Sequence, residues 1–103
     1  MDFAAARIKM VDNQIRTTDV TSYELLRAFL TVPREVFVPD ARKPLAYIDE
    51  DIPFAPNRYV MEPSPFAKLL QLASVSRDDV VLDVGCGTGY SSAVLAELAG
   101  TVV

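Results

Sequence analysis

The sequence predicts an α/β chain in which an N-terminal helical segment leads into the start of a Rossmann-like, doubly wound sheet. Three observations carry that expectation. All seven prolines lie between residues 33 and 65, and three of the four glycines lie at 85, 87 and 89. The nearly unbroken apolar run Val80-Val81-Leu82-Asp83-Val84 directly precedes those glycines and suits a central parallel strand covered on both faces. A helical pattern over residues 90–99 follows, with Gly100 placed to end it and Thr101-Val102-Val103 to begin another strand.

Composition narrows the classes of chemistry. At 103 residues the chain is one domain at most. Its 50% apolar and 23% charged content argues against disorder. Ten basic against fourteen acidic residues leave a net charge of −4, which argues against nucleic acid or an anionic membrane as the main partner. No apolar run approaches the roughly 18 residues of a membrane span. Asp2, Arg7 and Lys9 interrupt the N-terminal apolar stretch, so it does not read as a signal peptide. A soluble, cytoplasmic protein is expected. With no histidine, imidazole acid–base catalysis, Ser-His triads and His-bearing zinc sites are unavailable within these residues. Cys86 is the only cysteine, so no internal disulfide or thiolate metal cluster can form, and no metal site is expected.

From residue 3 to about 16, Ala4, Ile8, Val11 and Ile15 recur at helical spacing and predict one apolar face. A second helix is expected from Thr21, with Thr21 and Glu24 at capping-box spacing and Val20 and Leu25 as a hydrophobic staple. Leu25, Leu26, Phe29 and Leu30 would form its buried stripe, and Pro33 would end it. Residues 33–39 read as a turn, and residues 40–46 allow a further helical turn despite Pro44. Residues 48–62 read as extended segments and loops, with Asp49-Glu50-Asp51 as a solvated acidic loop rather than a metal site. Ser64 before Pro65 predicts a helix start, with Ser64 as cap and Phe66, Leu69, Leu70 and Ala73 facing inward. Arg77-Asp78-Asp79 is a charged turn.

The chain therefore divides into a helical segment (1–47), a Pro-rich irregular segment with the helix leading to the sheet (48–76), and a first βα unit (77–103). A doubly wound sheet needs several such units of about 30 residues each. These residues are accordingly expected to be the N-terminal part of a longer protein, with strand 80–84 uncovered when taken alone.

The chemistry concentrates in Asp83-Val84-Gly85-Cys86-Gly87-Thr88-Gly89-Tyr90, where a strand turns into a helix. Glycines there admit positive φ and clear the path of a ligand, and the helix start offers free N–H groups. The spacing is G-x-G-x-G, not the G-x-G-x-x-G of dinucleotide sites, and no Gly-Lys-Ser/Thr follows to make a P-loop. Asp83 would repel a pyrophosphate but attract a ligand bearing an ammonium and a sulfonium, as S-adenosylmethionine does. The alternative is a purely structural turn with Asp83 solvated. Cys86 at a helix start is a candidate nucleophile, but methyl transfer needs none, and a small packing residue is expected there. Arg34 and Arg58 are candidates for meeting an acidic substrate, with surface roles as the alternative.

The stretch from Val81 to Tyr90, with Ala93-Val94-Leu95-Ala96 beyond it, resembles the first motif of class I methyltransferases, most closely that of the protein-L-isoaspartate O-methyltransferase family. Met10-Val11-Asp12-Asn13-Gln14-Ile15-Arg16 resembles that family's N-terminal helix, Val32-Pro33-Arg34-Glu35-Val36-Phe37-Val38-Pro39 its next signature, and Leu45-Ala46-Tyr47-Ile48-Asp49 the one after. The resemblance implies a cytoplasmic protein-repair enzyme that transfers a methyl group from S-adenosylmethionine to isoaspartyl carboxylates of proteins or peptides. It further implies that Asp83, Gly85, Gly87 and Gly89 shape the cofactor site, with the backbone of Cys86, Thr88 and Tyr90 along the methionine end. The acidic residue that holds the ribose in such families would fall after Val103.

One departure concerns the acceptor. The family's Thr-Ile-Ser-x-Pro segment, whose Ser helps engage the isoaspartyl substrate, corresponds here to Tyr59-Val60-Met61-Glu62-Pro63. Met61 stands where that Ser would be, and a thioether cannot replace a hydroxyl that orients a carboxylate. Ser64 is a nearby substitute if it is not the helix cap, and Glu62 disfavours an anion close by. A relative with another acceptor, or a catalytically impaired cofactor-binding module, is thus the alternative expectation.

Overall fold

The computed structural model describes residues 1–103. Helix α1 (Phe3–Met10) opens at Asp2, whose carboxylate accepts from the Ala5 amide at 3.1 Å. The helical path continues through a π turn (Val11–Ile15) and a 3-10 turn (Arg16–Thr18), and stops at Asp19 with φ 64°. The buried stripe departs from the expected one within α1 itself, ahead of the π turn. Met10, Val11 and Ile15 are buried, whereas Ala4 and Ile8 are exposed.

Helix α2 (Tyr23–Thr31) starts later than the capping-box spacing predicts. Ser22 is its cap, accepting from the Leu25 amide at 3.3 Å. The Thr21 and Ser22 amides instead donate to Gln71 Oε1 at 2.8 and 3.2 Å. A side chain fifty positions away therefore displaces the local motif. Leu25, Leu26, Ala28 and Phe29 are buried, and Leu30 lies at the exposed rim. Two 3-10 turns follow, Arg34–Phe37 and Asp40–Leu45.

Strands β1 (Ile52–Ala55) and β2 (Arg58–Val60) form an antiparallel hairpin, with Ile52 opposite Val60 and an irregularity between Pro53 and Ala55. Asn57 takes φ 59° in its turn, a conformation that Asn tolerates. Helix α3 (Pro63–Ala73) then begins one residue before the predicted cap. Pro63 takes the first turn, and Ser64 is a buried helical residue rather than the N-cap. Phe66, Ala67 and Leu70 face the core, while Leu69 and Ala73 are exposed. The expected inner face is thus rotated as well.

Strand β3 (Val80–Val81) pairs in parallel with β4 (Thr101–Val102) across helix α4 (Tyr90–Ala96), Val80 lying opposite Thr101. Regular pairing is shorter than residues 80–84, and α4 is shorter than residues 90–99. Asp83 still donates its amide to the Val103 carbonyl at 3.0 Å. Val80, Leu82 and Val84 are 74%, 70% and 82% exposed, the uncovered apolar run expected of this strand when the βα unit is taken alone. A two-stranded pair leaves such a run without a neighbour on its other side. At Gly100 a Cβ would overlap the Arg77 carbonyl oxygen, so only glycine fits between α4 and β4.

The main core lies where α1, α2, α3 and α4 converge. Tyr90 sits at the centre of its aromatic part, with ring centroids 5.8 Å from Phe37, 6.1 Å from Phe66 and 6.5 Å from Phe29. The helix that leaves the glycine turn is thereby anchored to three other elements at its first residue. No helix is long and apolar enough to cross a membrane.

Candidate functional site

The turn from β3 to α4 is built from glycines in left-handed conformations. Gly87 (φ 59°) and Gly89 (φ 97°) could not carry a side chain without backbone strain. Gly87 has a second constraint, since a Cβ there would stand 2.7 Å from Cζ of Phe54 on the hairpin. Gly89 is the last residue before α4 and its amide donates to the Cys86 carbonyl at 3.0 Å, closing the turn.

Asp83 is partly buried beneath this turn. Its Oδ2 accepts from Ser91 Oγ at 2.7 Å and from Ser92 Oγ at 2.8 Å. Two hydroxyls from the first turn of α4 thus hold the carboxylate in place while leaving its charge intact. The solvated alternative is not what the structure contains. Sequence reasoning missed both serines, although their position directly after the last glycine and Tyr90 was the available signal.

A cavity of about 380 Å³ opens here, between the glycine turn, the β1–β2 hairpin and α3. Six of the seven residues expected at the cofactor site line it: Asp83, Gly85, Cys86, Gly87, Thr88 and Tyr90. Gly89 shapes the turn without lining the cavity. Arg58, Tyr59 and Met61 line it from the hairpin side, together with Phe54, which sequence reasoning also missed. Cys86 is a free and exposed thiol, so the expected packing role is corrected.

The two candidate arginines separate. Arg34 is fully buried and meets no external ligand. Its Nε donates to the Ala46 carbonyl at 2.6 Å and its Nη2 to the Met61 carbonyl at 3.1 Å, while its guanidinium carbon lies 4.8 Å from the Tyr90 ring centroid. Burial lowers its pKa, opposed by Tyr90 and Tyr47. Burial likewise pushes the Tyr90 phenol up to about 12, against the pull of Arg34. Tyr90 therefore keeps its proton at neutral pH. Arg34 thus ties the backbone of Met61 to the helix that begins at the glycine turn.

Next to the hairpin, the acidic loop Asp49-Glu50-Asp51 is exposed, as expected, and two of its carboxylates also hold the start of α3. The Ser64 hydroxyl donates to the Asp49 carboxylate, 3.0 Å from Oδ1 and 2.9 Å from Oδ2, and Asp51 accepts from the Glu62 amide at 2.7 Å. The Ser64 hydroxyl is thereby engaged by Asp49. The Glu62 carboxyl is raised above its ordinary value by desolvation and by the charges of Asp49 and Asp51. Met61 itself is half-exposed.

A parallel βα unit with a glycine-lined, acid-bearing turn at the carboxyl end of its first strand belongs to the class of nucleotide-type cofactor folds. A solved structure described as protein-L-isoaspartate O-methyltransferase matches with TM-score 0.73 and 27% identity, over 89% of this chain and 30% of that one. A second, from Plasmodium falciparum, matches in fold with TM-score 0.71 at 19% identity, over 85% of this chain and 39% of that one. It is a putative protein-L-isoaspartate O-methyltransferase solved in complex with S-adenosyl-L-homocysteine. The profile of the Protein-L-isoaspartate(D-aspartate) O-methyltransferase (PCMT) family matches residues 5–103, and the chain belongs to that family. It is 38% identical to the protein-L-isoaspartate O-methyltransferase of Koribacter versatilis over 97% of this chain and 45% of that protein. It is 40% identical to that of Aeropyrum pernix over 93% of this chain and 37% of that protein. The chain spans less than half the length of these curated relatives.

Proposed function

We propose that this chain forms the donor-binding part of a cytoplasmic S-adenosylmethionine-dependent O-methyltransferase that acts on isoaspartyl carboxylates of damaged proteins, with residues 77–103 as the first βα unit of its catalytic domain. The observation that carries the reading is the carboxylate of Asp83, fixed by Ser91 and Ser92 beside a glycine turn and facing a cavity. Family membership supports it, as does the S-adenosyl-L-homocysteine bound by the Plasmodium falciparum protein.

The residues fit such a donor. A Cβ added at Gly85 would meet nothing within 4 Å, so the turn is open above its backbone. Asp83 offers a fixed negative charge to an ammonium or sulfonium. Gly85, Gly87 and Gly89 keep side chains out of the way, and the backbone of Cys86, Thr88 and Tyr90 would follow the methionine end. Bound S-adenosylmethionine supplies an electrophilic methyl group, so the chain needs no nucleophile or imidazole base of its own. Its residues would orient the two reactants, and the buried Arg34 clamp ties the Met61 backbone to the helix leaving the turn.

A second reading keeps the donor and changes the acceptor. Met61 favours it, because neither its thioether nor the engaged Ser64 supplies a free hydroxyl to a carboxylate. The test is methyl transfer by the full-length protein from labelled S-adenosylmethionine to an isoaspartyl peptide and to its aspartyl counterpart. Transfer to the isoaspartyl form alone supports the first reading. Donor binding without transfer, with transfer appearing in Met61→Ser, supports the second. Absence of donor binding defeats both.

A further inference from the structure

The cavity beside the glycine turn holds two opposite charges, and the role of Asp83 accounts for only one. The other is Arg58, the only basic side chain lining the cavity. Its guanidinium carbon lies 5.4 Å from the centroid of Phe54, the ring that presses on Gly87. The ion pairs of this chain are Arg7–Glu35, Arg16–Asp12 and Lys43–Asp40, so Arg58 has no carboxylate partner. That is notable in a chain of net charge −4 with acidic side chains on both sides of the hairpin. Asp49 and Asp51 are engaged by Ser64 and by the Glu62 amide. A guanidinium stacked over a ring is oriented by it and keeps its edge donors free for a planar, bidentate acceptor.

We propose that Arg58 is the carboxylate anchor of this cavity. The inference rests on the methyltransferase reading above and deepens it. A carboxylate can arrive from either reactant, as the amino-acid end of the donor or as the isoaspartyl group of the acceptor. In both cases Arg58 supplies the charge and paired donors that Met61 cannot. Asp83 and Arg58 then sort a zwitterion or a donor–acceptor pair by sign, ammonium or sulfonium toward one and carboxylate toward the other.

The test is equilibrium binding to the full-length protein, comparing the parent with Arg58→Gln and Arg58→Lys. S-adenosyl-L-homocysteine is titrated first, and an isoaspartyl peptide is then titrated into the protein saturated with it. Arg58 is exposed and has no ion-pair partner, so both variants should fold, with only the small loss in thermal midpoint that a weakened surface contact with Phe54 brings. The expected result is a rise of about tenfold or more in one Kd for Arg58→Gln, with partial recovery in Arg58→Lys. A rise for S-adenosyl-L-homocysteine assigns the carboxylate to the donor, and a rise for the peptide assigns it to the acceptor. Parent-like values for both ligands overturn the anchor while leaving the methyltransferase reading intact. A parent that binds no S-adenosyl-L-homocysteine overturns that reading and the anchor together.

Discussion

The Arg34 guanidinium carbon lies 4.8 Å from the centroid of the Tyr90 ring, with no carboxylate at ion-pair distance to balance the buried charge. Carbonyl dipoles of Ala46 and Met61, together with the aromatic face, take the place of a counter-ion. This arrangement joins three segments that are far apart in sequence. It sets where the β1–β2 hairpin stands relative to the glycine turn.

Arg34→Ala should therefore cost about 3–5 kcal/mol in urea unfolding, from the void and the two carbonyls left without donors. Arg34→Lys should fall between, because an ammonium cannot reach both carbonyls and stack as well. A loss below about 1 kcal/mol for the alanine variant would contradict the clamp.

Tyr90 gives an alkaline signature. Its phenol is raised from the ordinary 10.0 to about 12, so the folded state holds that proton more tightly than the unfolded chain. The associated stability is complete below about pH 10 and is lost as pH rises toward 12. Phenolate absorbance should show a late step near pH 12, and Tyr90→Phe should remove that step. The Tyr90 hydroxyl is buried without a partner, so that variant should be neutral or slightly stabilising at neutral pH.

At the acid end the relevant group is Glu35. Burial alone would raise its carboxyl, but hydrogen bonds from Tyr47, its own backbone and Arg7 hold it below the ordinary 4.5. A depressed folded value contributes stability that is complete above the ordinary range and lost as pH falls through the lowered one. Glu35→Gln should flatten the stability profile in that window. An unchanged acid limb would show that the Arg7–Glu35–Tyr47 group is not responsible.

Asp83→Asn separates charge from shape. The amide oxygen can still accept from Ser91 and Ser92, so the turn should fold as before. Binding of S-adenosyl-L-homocysteine should weaken by about tenfold or more once the charge is gone. Equal affinity in the variant would favour the glycine turn as mere architecture.

Gly87→Ala meets two penalties, a left-handed backbone and the Phe54 ring. A destabilisation of about 1–2 kcal/mol is expected. Adding Phe54→Ala should remove the steric part and leave the backbone part, which a double-mutant cycle in urea measures.

Much of the site was legible in the residues themselves. The spacing of Gly85, Gly87 and Gly89 after an apolar strand, with Asp83 inside it, needs only local backbone chemistry to be read, because positive φ and a helix start are properties of neighbouring residues. The α/β order and the family signatures likewise follow the chain. What could not be read were choices made by residues distant in sequence. Gln71 takes the amides that would have served a capping box at Thr21, and Asp49 draws Ser64 away from its expected role. Most decisively, Arg34 and Arg58 look alike in sequence, yet one is enclosed beneath Tyr90 and the other borders the cavity. Composition and spacing define which groups a chain possesses; only packing determines which of them are desolvated, and desolvation decides whether a charge serves structure or remains free for a ligand.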